Sequence, residues 1–186
     1  MTNTKMQVQL KDRLLLTYII QQVVNEVLDC ELFYQNQVSD RARYPFITYS
    51  FISTEQDTTG DWLGEGRQYE THLQVDCHAD NAIQAMDMAN NLWNALQSGV
   101  YRSYFEQADI EPGQFTNTSD RTILAGINYD YRFGFDCSFL VSNGGHVYSP
   151  DDLHFQAQPE TEIKTVQLSD AGDSEVISAN GKEKEQ

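Results

Sequence analysis

The chain has 186 residues and a formal net charge of −16 at pH 7, from 28 acidic and 12 basic side chains. Such an acidic surface repels phosphate groups, so the composition argues against a protein that grips nucleic acid or binds anionic membranes. The three cysteines, Cys30, Cys77 and Cys137, form no CxxC pair; with an N-terminus that lacks a signal-peptide pattern, they predict a cytosolic protein with reduced, buried thiols.

The first predicted element is a helix over residues 10–28, a stretch that contains neither glycine nor proline. Apolar side chains recur at four-residue steps at Leu15, Ile19, Val23 and Val27, which is the spacing of one helix face. Further apolar residues lie beside this stripe. The broad apolar face predicts a helix that is buried against more than one surface.

Residues 44–53 are rich in β-branched and aromatic side chains, which predicts a strand with apolar residues on both faces. Residues 54–68 follow as a predicted loop with three glycines and four carboxylates. Trp62 and Leu63 form an isolated apolar pair within this charged loop. Such a pair either folds back onto the body of the protein or inserts into a partner, and the sequence leaves both alternatives open.

Residues 69–78 alternate apolar and polar side chains, so they predict a strand with one buried and one solvated face. His72, Asp76, Cys77 and His78 in this segment are all residue types that bind metals. However, a strand rises about 3.3 Å per residue, which places His72 roughly 13 Å from Asp76 and points Cys77 to the opposite face. The sequence therefore favours a buried Cys77 and solvated or interfacial histidines over a metal site.

A second helix is predicted after this strand, with the side chain of Asp80 or Asn81 as its N-cap and Gly99 at its end. Its apolar stripe consists of Ala82, Met86, Ala89, Trp93 and Leu96, with Ala85 and Leu92 beside it. We expect this stripe to be the buried face of the helix.

Two more strands complete the predicted sheet. Residues 109–119 predict an edge strand, because Pro112 has no N–H to donate to an inner ladder. Residues 127–141 alternate aromatic with polar side chains and predict a long strand. Glycines and an acidic composition then break the pattern. We therefore expect an α+β domain over residues 1–142, followed by an acidic, partly disordered C-terminal extension over residues 143–186.

The predicted order of elements is helix, strand, strand, helix, strand, strand. This order predicts an α+β fold in which two helices pack on one face of a mostly antiparallel four-stranded sheet. The other face of the sheet carries many polar residues. We expect that face to be partly solvated or to meet another subunit.

No pattern in the chain predicts a catalytic site. A nucleophile such as Ser50, Cys137 or Ser138 has no histidine placed near it by any spacing in the sequence. Glu65 and Glu70 could in principle act as an acid–base pair, but acidic residues on a loop usually form a solvated surface. We therefore expect no enzymatic activity, no bound metal and no cofactor.

Several segments, taken in chain order, resemble those of one protein family. From about Arg43 to Val141, roughly half of the chain, the sequence reads "YPFITYSFIS", a charged hairpin loop, "YETHLQVDCHADNAIQAMDMANNLWNAL", "NTSDRT" and "YDYRFGFDC". This succession resembles bacteriophage neck or tail terminator proteins, which are related in fold to the tail terminator of phage lambda. The resemblance rests on the order and spacing of elements and carries no catalytic signature.

The resemblance implies a structural virion protein of the phage neck or tail, assembled in the host cytoplasm. Members of this family cap the completed tail tube as a ring, usually a hexamer, and join it to the head connector. The implied partners are further copies of the chain, the tail tube protein and the neck or head connector protein. DNA would only pass through the lumen, and no membrane contact, catalytic residue or cofactor is implied.

The resemblance also implies which residues make contacts. By position, the charged hairpin loop would reach a neighbouring subunit or the tube through Trp62, Leu63, Glu65 and Arg67. Arg121, in the turn before the last strand, would form a salt bridge within the turn or between subunits.

Two alternatives to a tail terminator remain open from the sequence. The first is a minor tail or head-completion protein that binds at another level of the neck. The second belongs to a different class, a small metal-binding hydrolase that would use His72, Asp76 and His78.

Overall fold

The structure, a computed structural model, describes residues 9–38, 42–58, 67–125, 127–158, 165–169 and 174–178. Its helices are α1 (Asp12–Leu28), α2 (Ala82–Gln97) and α3 (Arg102–Glu106). The strands of its large sheet are β1 (Glu31–Tyr34), β2 (Phe46–Asp57), β3 (Tyr69–Ala79), β4 (Ile110–Phe115), β5 (Ser119–Asp120), β6 (Ile123–Ala125) and β7 (Asn128–Val141). None of these helices is long and apolar enough to cross a membrane.

The large sheet has the strand order β1-β2-β3-β7-β4, and β5 and β6 also pair with β7. β1 runs parallel to β2, whereas every other pair in this sheet is antiparallel. The α+β class is confirmed, but the expected four-stranded sheet is a mixed seven-stranded sheet, and the described residues form three α-helices where two were expected. The missed elements have two to five residues each, too short to show a period of their own.

The core lies between α1, α2 and one face of the sheet. Leu15, Ile19 and Val23 of α1 are fully buried there, as predicted. The sheet contributes its odd-numbered residues to the same core, namely Leu73, Val75, Cys77, Phe135, Cys137 and Phe139. The alternation predicted for β3 and β7 therefore identifies the buried face of both strands correctly.

The buried face of α2 differs slightly from the predicted stripe. Its buried residues are Ala85, Met88, Ala89, Leu92, Ala95 and Leu96, whereas Met86 is exposed. Two methionines two positions apart cannot share one helix face. The face that packs on the sheet selects Met88 and leaves Met86 in solvent.

The sequence left Asp80 and Asn81 as alternative caps of α2, and the structure selects Asn81. Its side-chain oxygen accepts a hydrogen bond from the backbone N–H of Gln84 at 2.9 Å. We expect Asn81→Ala to lower the free energy of unfolding by about 1 kcal/mol, because one helix N–H loses its partner. Asp80→Ala is the matched control and should change the free energy by less than about 0.5 kcal/mol. Urea denaturation of both variants measures the difference, and equal effects would contradict the assignment.

The chain continues past β7 across the helices. The backbones of Leu10 and Tyr148 exchange two hydrogen bonds, at 2.8 and 2.9 Å. Leu153 is buried in the core, and the ring of Phe155 contacts those of Tyr18 and Tyr104. The described part of the C-terminal region up to residue 158 thus packs on α1 and α3. The domain boundary after residue 142 stays a prediction.

Two further strands, β8 (Thr165–Ser169) and β9 (Ser174–Ser178), pair with each other in antiparallel fashion. β9 falls in a stretch where the composition predicts disorder. The two strands form a sheet separate from the large one.

Candidate interaction site

The candidate site lies on the open face of the sheet, which α1 and α2 do not cover. The even-numbered residues of β3 point to this face. Glu70, His72 and Gln74 are half-exposed, whereas Asp76 is only 2% and His78 only 5% exposed. The prediction of a solvated face is therefore right for the first half of β3 and wrong for the second, and His78 is not a solvated histidine.

His78 is buried because residues of two neighbouring strands enclose it. Its Nδ1 lies 3.0 Å from both carboxylate oxygens of Asp130 on β7, and its Nε2 lies 2.9 Å from Thr48 Oγ1 on β2. Phe46 stacks on its ring at a centroid distance of 4.6 Å. The Asp130 carboxylate accepts the hydrogen bond from Nδ1, and Nε2 hydrogen-bonds with the Thr48 hydroxyl, which can act as donor or acceptor. The imidazole thus joins β2, β3 and β7.

Tyr44 closes the outer side of this group. Its hydroxyl donates a hydrogen bond to Asp130 Oδ1 at 2.9 Å, and its ring stacks on Phe46 at 5.3 Å. Partial burial and the hydrogen bond to Asp130 together raise the pKa of Tyr44 to about 12. Its hydroxyl therefore stays protonated at neutral pH and remains a donor to the carboxylate.

A hydroxyl, an imidazole and a carboxylate in this order are also the parts of a nucleophilic triad. Thr48, however, is only 2% exposed, so neighbouring side chains cover its hydroxyl. A substrate carbonyl could not approach its hydroxyl unless the sheet opened. The geometry favours a structural link between strands over catalysis.

The metal-binding alternative finds no support in this arrangement. Asp76, its central residue, already accepts hydrogen bonds from Arg121 at 2.9 Å and from Gln74 at 2.6 Å. His78 is engaged as described above, and His72 lies six residues away along β3. Within the described ranges, no three His, Cys, Asp or Glu side chains are grouped closely enough to hold a metal ion.

Arg121 covers the buried part of the open face. It lies in the turn between β5 and β6, where its backbone N–H donates to Arg132 O at 2.7 Å. Its Nη1 donates to Asp76 Oδ1 and its Nη2 to Asp136 Oδ1, each at 2.9 Å. Partial burial lowers the pKa of this guanidinium, but the hydrogen bonds to Asp136 and Asp76 outweigh it and raise the pKa. The sequence left a salt bridge within the turn or between subunits open for Arg121, and in the structure the side chain bridges from the turn to Asp76 on β3 and Asp136 on β7.

Gly134 makes room for this ion pair. It lies directly opposite Asp76 in the β3–β7 ladder. A Cβ at this position would collide with Asp76 Oδ1 and with the carbonyl oxygen of Val75. Glycine is therefore required because the Asp76 carboxylate occupies the space of a side chain.

Arg67 lies at the base of the connection between β2 and β3, residues 58–68, which we call the β2–β3 arm. The loop predicted over residues 54–68 starts later than expected, because β2 extends to Asp57. Its Nη2 donates to Glu55 Oε2 at 2.6 Å and its Nε to Asp57 Oδ1 at 3.3 Å. Its guanidinium also lies 5.2 Å from the ring centroid of Tyr69. The other three predicted contact residues, Trp62, Leu63 and Glu65, lie outside the described residues.

The hairpin that β6 and β7 form exposes apolar side chains that were not among the predicted contact residues. Ile123, Leu124, Ile127 and Tyr129 are all exposed. The signal was present, since apolar residues flank a glycine on both sides without any charge between them. β6 itself has only three residues, too few to show the alternation of a strand.

The buried cysteines have no role in chemistry at this site. Cys77 and Cys137 are buried as predicted, and burial raises the pKa of both thiols. Burial of the partly exposed Cys30, with the nearby Asp29 and Glu31, raises its pKa to about 11. All three thiols therefore stay protonated near neutral pH and are poor nucleophiles.

Comparison with known proteins gives one result. Residues 15–174 match the model of a protein family described as phage neck terminator protein. The matched range contains almost all of α1, both other helices and every strand of the large sheet. No curated protein matches the chain.

Proposed function

Because the chain belongs to the phage neck terminator family, whose members are structural virion proteins, we propose that it forms a ring that caps the tail tube and joins it to the head connector. Six copies would make this ring, assembled in the host cytoplasm. The family match over residues 15–174 is the observation that carries this proposal. The open face of the sheet is consistent with it, because its buried polar side chains, Asp76 and His78, are bonded to residues of neighbouring strands and turns.

The charge of the chain is consistent with a ring through which DNA passes. At −16 per chain, six copies would present a strongly negative assembly. A lumen lined by carboxylates repels the phosphate backbone and does not retain DNA in transit.

The contacts of the ring would come in part from the β2–β3 arm. We assign the apolar pair Trp62 and Leu63, with Glu65, to the contact with a neighbouring subunit or the tube. Arg67 would orient the arm through its bonds to Glu55 and Asp57. Arg121 would hold the β5–β6 turn against the sheet and so shape the open face for contact.

Sedimentation velocity tests the ring. We expect the protein to form a discrete oligomer at high concentration or when purified tail tubes of its phage are added. Electron microscopy of the particles should then show a ring at the end of the tube. A protein that stays monomeric in both conditions would contradict the proposal. Density for the protein at another level of the neck would favour the alternative of a minor tail or head-completion protein.

Trp62→Ser tests the arm. We expect this variant to weaken assembly on tail tubes about thirtyfold or more, since a buried tryptophan anchor commonly contributes 2 kcal/mol or more. Val147→Ser replaces an exposed apolar residue outside the arm and serves as the control, with an expected change of less than about threefold. Binding of fluorescently labelled protein to tubes measures both. Equal binding of the two variants would show that Trp62 does not contribute to the interface.

A further inference from the structure

The hairpin formed by β6 and the start of β7 extends beyond the rest of the sheet. Pairing between β3 and β7 ends at Ala79 and Tyr131. The three residues of β7 before this point, 128–130, pair only with β6. At about 3.3 Å per residue, the hairpin reaches roughly 10 Å past the end of β3.

This projection carries an apolar surface. Leu124 and Tyr129 face each other across the ladder and are 63% and 61% exposed, and Ile127 at the tip is 95% exposed. With Ile123 they form what we call the apolar hairpin. Tyr129 lies on the same face of β7 as Phe133 and Phe135, so the core face of the strand continues outward. Within the described part of the chain, no helix covers this continuation.

The outer part of the hairpin carries no charge, and Asp130 at its base is bonded to Tyr44 and His78. Residues 123–129 contain no acidic or basic side chain, in a chain with 28 acidic and 12 basic residues. Two copies at −16 each repel one another at close range. The Debye length is about 8 Å at physiological ionic strength, close to the reach of the hairpin. A contact through the hairpin therefore keeps the acidic bodies about one screening length apart.

The hairpin and the described base of the β2–β3 arm lie at opposite ends of the sheet. The arm begins where Tyr69 pairs with Val141, and the hairpin begins where Ala79 pairs with Tyr131. A ring of identical copies is built from head-to-tail contacts, so each copy needs two different surfaces, one for each neighbour. The two ends of the sheet supply two such surfaces.

We propose that the apolar hairpin is a subunit interface, docking onto the next copy of this chain in the ring. The inference rests on the ring proposed above and assigns one of its two contact surfaces to Ile123, Leu124, Ile127 and Tyr129. The occupant is a second copy, because an uncharged, projecting apolar edge is the surface through which strongly acidic chains associate with the least repulsion.

A pair of matched substitutions tests the interface in the full-length protein. Ile127→Gln should weaken self-association about tenfold or more, measured by sedimentation equilibrium with tail tubes present if these are needed for assembly. Ile83→Gln removes an equally apolar exposed side chain from α2 and should change association less than about twofold. Thermal unfolding should be the same in both variants and in the wild type, which shows that any loss of association is not a loss of folding.

Photo-crosslinking identifies the molecule that the apolar hairpin contacts. A benzophenone amino acid at position 127 should give covalent dimers and higher ladders of this chain in the assembled state. Crosslinks that reach only the tube or connector protein would overturn the proposal, as would wild-type association of Ile127→Gln. In both cases a ring seen by microscopy would still stand. A protein that remains monomeric with and without tubes would overturn the ring and the hairpin interface together.

Discussion

Replacement of Arg121 by methionine is expected to lower the free energy of unfolding by about 3 kcal/mol. The substitution keeps the length of the side chain and removes the two hydrogen bonds to Asp76 and Asp136. Asp76 is then left as a buried carboxylate without its main partner, and breaking a buried pair from one side costs roughly 3–5 kcal/mol. The lower value is expected because Gln74 stays bonded and Arg132 lies within 3.9 Å.

Urea denaturation of three proteins checks this result. Arg102→Met is the control, since Arg102 pairs with Glu106 on an exposed helix surface, and its loss should be at most about 0.5 kcal/mol. The double variant with Arg121→Met and Asp76→Asn should regain much of the stability, because the amide carries no charge to leave unpaired. Equal losses for Arg121→Met and Arg102→Met would show that water solvates Asp76 after all.

Gly134→Ala is the second change with a large expected effect, a loss of about 2–3 kcal/mol. The new methyl group would meet the Asp76 carboxylate and the Val75 carbonyl oxygen. Backbone atoms of a central strand cannot move aside without breaking ladder hydrogen bonds, so the ion pair with Arg121 or the strand pairing must distort.

Gly99→Ala is the matched control for this substitution. A Cβ at Gly99 meets no atom within 4 Å, so alanine should be neutral or stabilise by up to about 1 kcal/mol through the unfolded chain. Thermal and urea unfolding of the two variants should therefore change in opposite directions or differ by at least about 2 kcal/mol. A Gly134→Ala protein as stable as the wild type would mean that β3 and β7 are less closely paired around Asp76 than described.

Much of the fold could be predicted because its long elements carry their own periods. The two-residue alternation of β3 and β7 and the four-residue steps of α1 each extend over ten residues or more and report the buried face directly. β1, β5 and β6 could not be found in this way. They are held by pairing with β2 and β7, and the sequence of a short strand does not record its partner.

The open face shows where local pattern fails. Asp76 and His78 occupy the polar positions of an alternating strand, so the sequence predicts a solvated face for β3, with His78 either solvated or at an interface. Arg121 follows Asp76 by 45 positions and Asp130 follows His78 by 52. Only the folded sheet brings these partners above β3. The burial of a polar side chain depends on which residues cover it, and the two-residue alternation of a strand does not show which distant residues do so.

The pairing of Leu10 with Tyr148 has a consequence for the order in which the chain folds during its synthesis. These residues are 138 positions apart, and Phe155, which contacts Tyr18 on α1, emerges from the ribosome later still. α1 therefore cannot complete its packing against Tyr148 and Phe155 until most of the chain has been translated. Prematurely terminated chains would keep apolar helix surface exposed and become targets for proteases, which would keep defective subunits out of the particle.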